Sequence, residues 1–491
     1  QQRGRPVDLA RLPTDDEATY DLMCSADTIG VFQIESRAQM NTLRRMQPRC
    51  FYDVVVEVAI VRPGPIAGGL AHPYLERRNG RQPIDYIDEK LKPTLERTLG
   101  IPMFQEQVLK MAMVMANFSG SEAEELRRAM GFHRSHERMK RVENKLRAAL
   151  QERGVAQKTT EQIVEAIGSF ALYGFPESHA ISFGILAYAS SYLKVHRAVE
   201  FYTGLLNNQP MGFYSPSTLV QEGKRRGLRF EPPCVMRSGW RCEILDDSTI
   251  RLGLLTVRGL KEMTTEQMLE TRKRKLFYSL ADFRHRTKFD RRQLRQLASI
   301  GALNALAGTR RQAIWQVEKA EVEQGDLFAS PIITSGGISS KAANSSDFPL
   351  PEMSYNSRIQ ADYAGMGLTS GRHPMCLVRA SLPKSVLPAT LIGQQTDGSR
   401  ASTAGAVICR QRPGTGKGVV FITLEDETGL SNSVVYPDRF EEFRLTITTE
   451  PFLLVTGTVQ QREGATHLVA DRVEPLPTSH EIPAAGSHDF H

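Results

Sequence analysis

The chain has 491 residues and a net charge of +7, with 41% hydrophobic and 24% charged residues, shares that are ordinary for a soluble globular protein. A chain of this length exceeds a single hydrophobic core, so we expect roughly two to four domains. It contains no apolar run of about 18 residues, which excludes a membrane-spanning helix, and residues 1–5 lack the apolar segment of a signal peptide.

The basic excess is mild, with 62 Lys and Arg against 55 Asp and Glu, so its local concentration matters more than its total. Arginine is much commoner than lysine, which suits bidentate binding of phosphate, although a GC-rich genome would produce the same bias. None of the six cysteines forms a C-x-x-C pair, so we expect no zinc site and a reducing, cytoplasmic location.

Residues from about 15 to 205 have the apolar spacing of helices. The acidic run at residues 15–17 belongs in a first helical turn, as the helix dipole favours. Between residues 94 and 131 apolar residues recur at helical intervals, and the run SGSE at 119–122 ends one helix and begins another. The basic segment 131–151 that follows is typical either of a solvated helix or of a face near nucleic-acid phosphates.

The segment ALYGFPESHAISF occupies residues 171–183. The glycine and the proline within it predict a break in the helix, which puts Ser178 and His179 on a turn. A second apolar helix is predicted from Ile181 to about Leu206.

Residues 228–257 alternate β-forming runs with turn residues and predict short strands. They lead through RGLK, residues 258–261, into an amphipathic helix, and a similar unit at residues 290–306 ends its helix in IGAL, residues 300–303. We interpret the two units as helix-hairpin-helix elements, which bind backbone phosphates through turn amides and helix N-termini without reading sequence.

Residues 330–347 are rich in Ser, Gly and Ala and predict a flexible linker. From about residue 391 to 476 β-forming residues predominate, and they predict the strands 419–424, 433–436, 452–455 and 466–470. Five short strands in about 80 residues fit an OB-fold barrel, a frequent binder of single strands. The tail after Pro475 is expected to be loose.

Five motifs occur in order along the chain: GVFQIESR at residues 30–37, AIVRPGP at 59–65, FQEQV at 104–108, LRRAMG at 126–131 and YGFPESHA at 173–180. Together they resemble the fingers of the alpha subunit of bacterial DNA polymerase III and its relatives, the C-family polymerases. The segment RQRPGTGKGVVFITLEDETG and the ending SHDFH are similar to the error-prone, damage-inducible branch of that family. A replicative subunit would be expected to continue into a domain that binds the clamp loader.

The resemblance implies a multidomain α+β chain with mostly helical fingers, a helix-hairpin-helix domain and a C-terminal five-stranded OB-fold β-barrel. The expected boundaries are 1–235 for the polymerase fingers on the incoming-nucleotide side, 236–330 for the tandem hairpins and clamp-binding region, 331–390 for a linker and connecting segment, 391–477 for the OB-fold domain and 478–491 for the tail.

Nucleotidyl transfer needs carboxylates that hold two Mg²⁺ ions. In this family those aspartates lie in the palm, upstream of the GVFQIESR motif. The resemblance therefore implies a carboxy-terminal fragment without the palm, the thumb and the amino-terminal phosphoesterase-like domain. We expect no catalytic metal ligand in this chain, both Mg²⁺ ions in the missing palm, and no activity of the chain alone. Asp15 and Asp16 match a helix start rather than a metal site.

The resemblance also implies the fingers' half of a pocket for the incoming dNTP. Arg62 lies in the stiff loop RPGP, where Gly64 lets the backbone approach a ligand, and it would stabilise the charge of the triphosphate. The alternative is that Arg62 pairs with a structural carboxylate. His179 would press on the sugar or base of the nucleotide, although a lone histidine is more often structural. Tyr173 and Ser178 are further candidates for the same pocket.

Candidate contacts to primer–template DNA and to the single-stranded template are basic residues of the fingers, the hairpins and the barrel: Arg127, Arg128, Arg258, Lys261, Arg291, Arg292 and Lys417. For Arg127 and Arg128 a solvated helix face is the alternative. The peptide QGDLF resembles the short motif that binds the sliding clamp, with Gln324, Leu327 and Phe328 as contacts, because an exposed Leu-Phe pair suits a pocket on a partner.

The sequence thus predicts part of an error-prone, translesion DNA-directed DNA polymerase. Such an enzyme adds dNTPs to a primer 3′ end in DNA repair and damage tolerance, with a sliding clamp and other damage-response accessory proteins as partners. The alternative is a non-catalytic DNA- and clamp-binding scaffold derived from such a polymerase.

Overall fold

The structure is a computed structural model that describes residues 7–61, 71–131, 136–171, 175–324, 350–412, 418–462, 464–476, 483 and 486–490. The chain divides into two compact units, one of residues 1–197 with 462–465 and the other of residues 198–461 with 466–491. No helix within the described ranges is long and apolar enough to cross a membrane.

The first unit is helical, as the apolar spacing predicted. Asp16 accepts a hydrogen bond from the amide of Thr19 at 2.8 Å and caps the first helix, so the helix start predicted from the acidic run is confirmed. Ser36 and Gln39 form a capping box at the start of the second helix. The α-helices of this unit are Glu17–Cys24, Arg37–Met46, Phe51–Ile60, Ala71–Arg78, Lys92–Leu95, Gln105–Ala116, Gly120–Gly131, His136–Glu152, Gln157–Ala171 and Glu177–His196. Its 3₁₀ helices are Leu9–Arg11, Glu89–Leu91 and Glu96–Thr98.

Four of these helices, between residues 105 and 171, pack around one apolar core. Each contributes a buried side chain: Met111, Leu126, Leu146 and Ile163. The first two helices are separated at Ser119, as predicted, where Glu122 accepts hydrogen bonds from the amide and the hydroxyl of Ser119 at 2.8 Å. Burial of these apolar faces stabilises the helices more than their intrinsic propensity does.

The prediction that Ser178 and His179 lie on a turn was wrong. Both lie in the first turn of the helix Glu177–His196. Pro176, with φ −65° and ψ 134°, occupies the position directly before this helix. A proline cannot continue a preceding helix but is well suited to the start of the next one, so the break and the new helix lie closer together than predicted.

The second apolar helix is also shorter than predicted. It ends at His196, because Arg197 leaves helical geometry with φ −141° and ψ 45°. The helix Ala198–Asn207 follows directly, so the apolar run that predicted one helix to Leu206 is divided between two.

The second unit begins with helices and a small sheet. Its strands β1 (Arg229–Glu231), β2 (Glu243–Ile244) and β3 (Thr249–Arg251) have the order β1-β3-β2, with β1 parallel and β2 antiparallel to β3. These strands confirm the β-structure predicted for residues 228–257. The α-helices of this unit are Ala198–Asn207, Pro216–Arg225, Glu262–Arg274, Leu280–Arg286, Arg291–Ser299, Asn304–Ala307, Arg310–Gln324, Tyr355–Met366, Ala389–Ile392 and Pro437–Thr449. Its 3₁₀ helices are Leu254–Thr256, Pro374–Leu377 and Arg379–Ser381.

The carboxy-terminal part of this unit is a closed five-stranded barrel, so the predicted OB-fold is confirmed. The strands of this part are β4 (Val386–Leu387), β5 (Arg400–Gln411), β6 (Val420–Glu425), β7 (Leu430–Val435), β8 (Phe452–Arg462), β9 (Ala465–Pro475) and β10 (His488–Phe490). The barrel strands follow the order β5-β6-β7-β9-β8, and β8 pairs with β5 to close the circle. Gly457, on β8, is required by the close approach of β9, because a Cβ there would lie 1.9 Å from the carbonyl oxygen of Val469.

The expectation of a loose tail was wrong for its last described residues. Strand β10 pairs in parallel with the end of β5. Arg410 donates to the hydroxyl of Ser487 at 2.6 Å and pairs with the carboxylate of Asp489 at 3.2 Å. A free sheet edge on β5 and the partly buried Arg410 therefore hold this part of the tail, which composition alone did not indicate.

Candidate functional site

The predicted nucleotide-site histidine is part of a column of aromatic rings in the first unit. His179 lies 4.9 Å from the ring of Phe175 and 4.2 Å from that of Phe183. Phe183 in turn contacts Phe32 edge-on at 5.4 Å. His179 is exposed, so part of its ring is accessible to a ligand. The i, i+4, i+8 spacing of 175, 179 and 183 would have indicated this column from the sequence.

The start of the histidine helix is held by charged side chains from neighbouring elements. The amide of Glu177 donates to the carboxylate of Glu106 at 2.8 Å, which caps the helix N-terminus. The carboxylate of Glu177 accepts a hydrogen bond from Tyr52 at 2.9 Å. Arg97 lies over the Tyr52 ring at 3.7 Å and completes the group. These contacts determine the position of Ser178 and His179, which are both exposed.

The GVFQIESR loop is attached to the other end of the same helix. Lys194 is fully buried, and its ammonium group donates to the carbonyls of Asp27 and Ile29 at 3.0 Å and to the Asp27 carboxylate at 3.1 Å. The amide of Phe32 donates to the hydroxyl of Ser190 at 3.2 Å. One helix therefore positions both ends of the aromatic column.

Three of the five predicted nucleotide-binding residues lie outside the described residues: Arg62, Gly64 and Tyr173. The helix that leads to Arg62 is described. It contains Asp53, which accepts two hydrogen bonds from Arg78 at 2.7 Å and two from backbone amides. One turn later Glu57 is fully buried, and both of its carboxyl oxygens are without a hydrogen-bond partner among the described residues. Burial raises the pKa of Glu57 well above its ordinary value.

The two predicted hairpins are present in the second unit. Gly259 and Gly301 occupy equivalent turn positions with φ of +81° and +84°. Left-handed backbone of this kind is accessible chiefly to glycine. The side-chain amide of Gln293, in the second element, donates to the carbonyl of Gly259 at 3.2 Å and joins the two elements.

The basic residues predicted for DNA contact differ in whether an ion pair neutralises their charge. Arg258, Lys261 and Arg292 are exposed and form no ion pair among the described residues. Arg291 shares Glu318 with Arg295, so its charge is partly neutralised.

Two further predicted arginines are on the surface of the first unit. Arg127 and Arg128 both pair with Glu124, at 2.7 and 3.1 Å, which favours the solvated helix face. Lys417, Leu327 and Phe328 lie outside the described residues, and of Gln324 only its place at the end of the helix Arg310–Gln324 is described.

A buried ionic group in the second unit was not foreseen from the sequence. The carboxylate of Glu425, on β6, lies 3.0 Å from the guanidinium of Arg225 and 3.9 Å from Nε2 of His373. Burial raises the pKa of Glu425 to about 7 and lowers that of His373 to about 3, so the histidine is neutral. The guanidinium is therefore the counter-ion of Glu425, and it joins the helix Pro216–Arg225 to the barrel.

The carboxylates of the described residues do not fit a two-metal centre. No group of three or more His, Cys, Asp or Glu is arranged to hold an ion within the described ranges. Asp16, adjacent to Asp15 in the sequence, caps a helix and lies 3.0 Å from Nε2 of His196. This is the structural role that the helix-start interpretation predicted for it.

The combination of a helical bundle, paired hairpins and an OB barrel is typical of a multidomain nucleic-acid-binding protein. Residues 1–154 match the model of the bacterial DNA polymerase III alpha subunit finger domain. Residues 227–313 match the helix-hairpin-helix motif, and residues 402–476 match the OB-fold nucleic acid binding domain.

The chain is also similar to curated proteins along its whole length. It is 43% identical over 500 residues to the error-prone DNA polymerase of Anaeromyxobacter sp. (strain K), with 99% of this chain and 43% of that protein covered. It is 43% identical over 502 residues to the error-prone DNA polymerase of Bordetella bronchiseptica, with 100% of this chain and 47% of that protein covered. The chain thus spans less than half the length of these relatives.

A solved structure, the asparaginyl-tRNA synthetase of Pyrococcus horikoshii, matches 18% of the chain at 24% identity with a TM-score of 0.15, which is too low to support an argument. The family models and the curated relatives agree with one another. Residues 1–154 thus resemble the finger domain of the bacterial DNA polymerase III alpha subunit, and the chain as a whole is similar to the error-prone DNA polymerases.

Proposed function

We propose that this chain forms the fingers, hairpin and OB-fold part of an error-prone DNA-directed DNA polymerase that acts in damage tolerance. The observation that carries the proposal is the 43% identity to error-prone polymerases over 99% of the chain. The order of helical unit, hairpins and barrel supports it.

In this proposal the helical unit receives the incoming dNTP. His179 presents an exposed ring held between Phe175 and Phe183, a geometry that suits contact with the sugar or base. Ser178, beside it in the first helical turn, is available as a hydrogen-bond partner. Arg62 and Gly64, in the RPGP loop, and Tyr173 are proposed for the same pocket on the resemblance of their motifs alone.

The catalytic step needs two Mg²⁺ ions, which bring the nucleophile and the phosphate together and stabilise the developing charge. We propose that they are held by carboxylates in the part of the relatives that this chain does not span. The described residues contribute binding and orientation of the nucleotide and of DNA, and we expect the chain alone to bind DNA without extending a primer.

DNA is bound in this proposal by the hairpin turns and the barrel. The turn amides around Gly259 and Gly301 suit backbone phosphates, with Lys261 and Arg292 nearby in the sequence as charge partners. The OB barrel suits the single-stranded template. A sliding clamp, contacted through Gln324, Leu327 and Phe328, and damage-response accessory proteins are proposed as partners.

The test is a fluorescence-anisotropy titration of a labelled primer–template over a salt series, beside a primer-extension assay with Mg²⁺ and dNTPs. We expect affinity to fall with salt and no extension. Lys261→Ala is expected to lower the slope of log affinity against log salt by about 0.9, the value for one phosphate contact on a duplex. Lys158→Ala, at an exposed lysine of the helical unit, is the matched control and should leave the slope unchanged.

Each result bears on a different part of the proposal. Extension by the purified chain would show that the catalytic carboxylates lie within it. Salt-independent binding, or none, would refute DNA binding by the hairpins and the barrel and with it the proposed function.

A further inference from the structure

A rigid loop beside the first hairpin element exposes two large side chains. The loop, residues 275–278, joins the helices Glu262–Arg274 and Leu280–Arg286. Leu276 and Tyr278 in this loop are 65% and 77% exposed, whereas Phe277 between them is 3% exposed. Isolated exposed apolar residues are common on protein surfaces. Leu276 and Tyr278 differ from such isolated residues because the backbone of their loop is held in one conformation.

One arginine holds the loop in its conformation. The guanidinium of Arg286 donates to the carbonyls of Thr271, Lys275 and Leu276, at 3.1, 2.6 and 3.1 Å. It also pairs with Asp282 at 2.9 Å. The same group lies 4.7 Å from the centre of the Phe277 ring.

The second end of the loop is fixed as well. The amide of Tyr278 donates to the carboxylate of Asp282 at 3.3 Å, and Phe277 packs edge-on against Phe283 at 4.9 Å. Because both ends are tied down, the backbone loses little freedom when Leu276 and Tyr278 make contacts. A tyrosine with a fixed backbone supplies a large contact area at low entropic cost.

The surroundings of the loop are strongly basic. Residues 270–288 contain seven Lys and Arg against two acidic residues, Glu270 and Asp282. Glu270 forms an ion pair with Lys273, and Asp282 forms one with Arg286, so both carboxylates already have a counter-ion. Three exposed basic residues remain without an ion pair in the described part of the chain: Arg274, Lys275 and Lys288.

This chemistry favours a nucleic acid over a protein. Lysine is depleted at the cores of protein interfaces, whereas an aromatic ring among free basic side chains is typical of sites that bind single strands. A tyrosine ring stacks on a base only where the base is unpaired. From these contacts we propose that the loop 275–278 is a single-stranded DNA site, in which Tyr278 stacks on a base and Lys275 and Arg274 contact the flanking phosphates. The inference rests on the proposed function as a DNA-binding protein and adds a contact outside the hairpin turns and the barrel.

The test is an anisotropy titration of the full chain with a labelled oligothymidylate. Tyr278→Ala is expected to weaken binding roughly five- to a hundredfold with an unchanged salt slope, since stacking involves no counter-ion release. Tyr278→Phe keeps the ring and should bind as the wild type does. Lys275→Ala is expected to lower the salt slope by about 0.7, the value for one contact on a single strand.

Ile84→Ala is the control, because Ile84 is 48% exposed in the helical unit, far along the chain from the loop. Weaker binding by Tyr278→Ala than by Ile84→Ala is the expected result. Equal effects of the two substitutions, or wild-type binding by Tyr278→Ala, would overturn the inference while leaving the proposed function intact. A wild-type chain without salt-dependent binding to any DNA would refute both.

Discussion

Glu57 is the described residue whose burial has the clearest energetic consequence. It lies at 0% exposure in the helix Phe51–Ile60, between the fully buried Val56 and Val58, and neither carboxyl oxygen has a hydrogen-bond partner among the described residues. Burial without a counter-charge disfavours the ionised form and raises the pKa well above the ordinary value of 4.5. The folded state therefore keeps a proton that the unfolded state releases above pH 4.5.

The sign and size of the pH effect follow from this difference. A raised carboxyl pKa gives a stability contribution that is complete below pH 4.5 and is lost as the pH rises toward the folded-state pKa. Each pH unit in that window costs about 1.4 kcal/mol. Glu57→Gln keeps the size and polarity of the side chain but removes the titration. We expect the stability of the variant relative to the wild type to increase from pH 5 to pH 7, by about 1.4 kcal/mol per pH unit within that window.

The assay is urea unfolding followed by circular dichroism at 222 nm at pH 5, 6 and 7, with hydrogen exchange in residues 51–60 to assign the transition to the helical unit. Glu165→Gln, at an exposed position of the same unit, is the control and should change stability by the same small amount at every pH. A difference between Glu57→Gln and the wild type that stays constant from pH 5 to pH 7 would show that the carboxyl does not retain its proton, and the burial argument would be refuted.

Three further predictions concern buried charges and the first hairpin. Lys194→Met should lower the free energy of unfolding by about 3 kcal/mol, because three oxygen acceptors lose their buried ammonium donor. An unchanged midpoint in urea unfolding would contradict this. Arg225→Met should cost about 3–5 kcal/mol, more at pH 8 than at pH 5 because Glu425, whose pKa is about 7, is then ionised without its partner. Adding Glu425→Leu should restore most of that loss, and a double variant no more stable than the single one would refute the pairing. Gly259→Ala should lower the free energy of unfolding by about 1–2 kcal/mol through backbone strain alone, since a Cβ at this position has open space. Gly259→Asn should lower it by less. Equal losses of stability for the two variants in thermal unfolding would indicate a lost contact instead of strain.

The sequence was most informative where one short pattern determines local geometry. The acidic run at residues 15–17 predicted a helix start, and Asp16 caps that helix. Alternating β-formers predicted four barrel strands, although the first and longest one, β5, was not identified because its small residues, such as Ala404 and Gly405, weaken the β signal. The hairpin glycines were recognisable because few other residues adopt left-handed backbone.

Local patterns were less reliable at helix ends and in the tail. Pro176 indicated a break, but whether the next residues form a turn or a new helix depends on the cap that Glu106 supplies from another helix. The tail contains too few apolar residues to predict a strand. Its pairing with β5 depends on the side chain of Arg410, which lies 79 positions before its partner Asp489.

The sequence by itself indicated the family resemblance, the order of the parts and the fold class, because these depend on motifs and periodicities that are local to each segment. The tertiary structure alone decided which charges are free and which are satisfied. Arg292 and Arg225 look alike in the sequence, yet the first is exposed and the second is paired with Glu425 on a barrel strand. The reason is physical: the energy of a charge depends on its burial and on its partners, and both are supplied by residues far away in the chain.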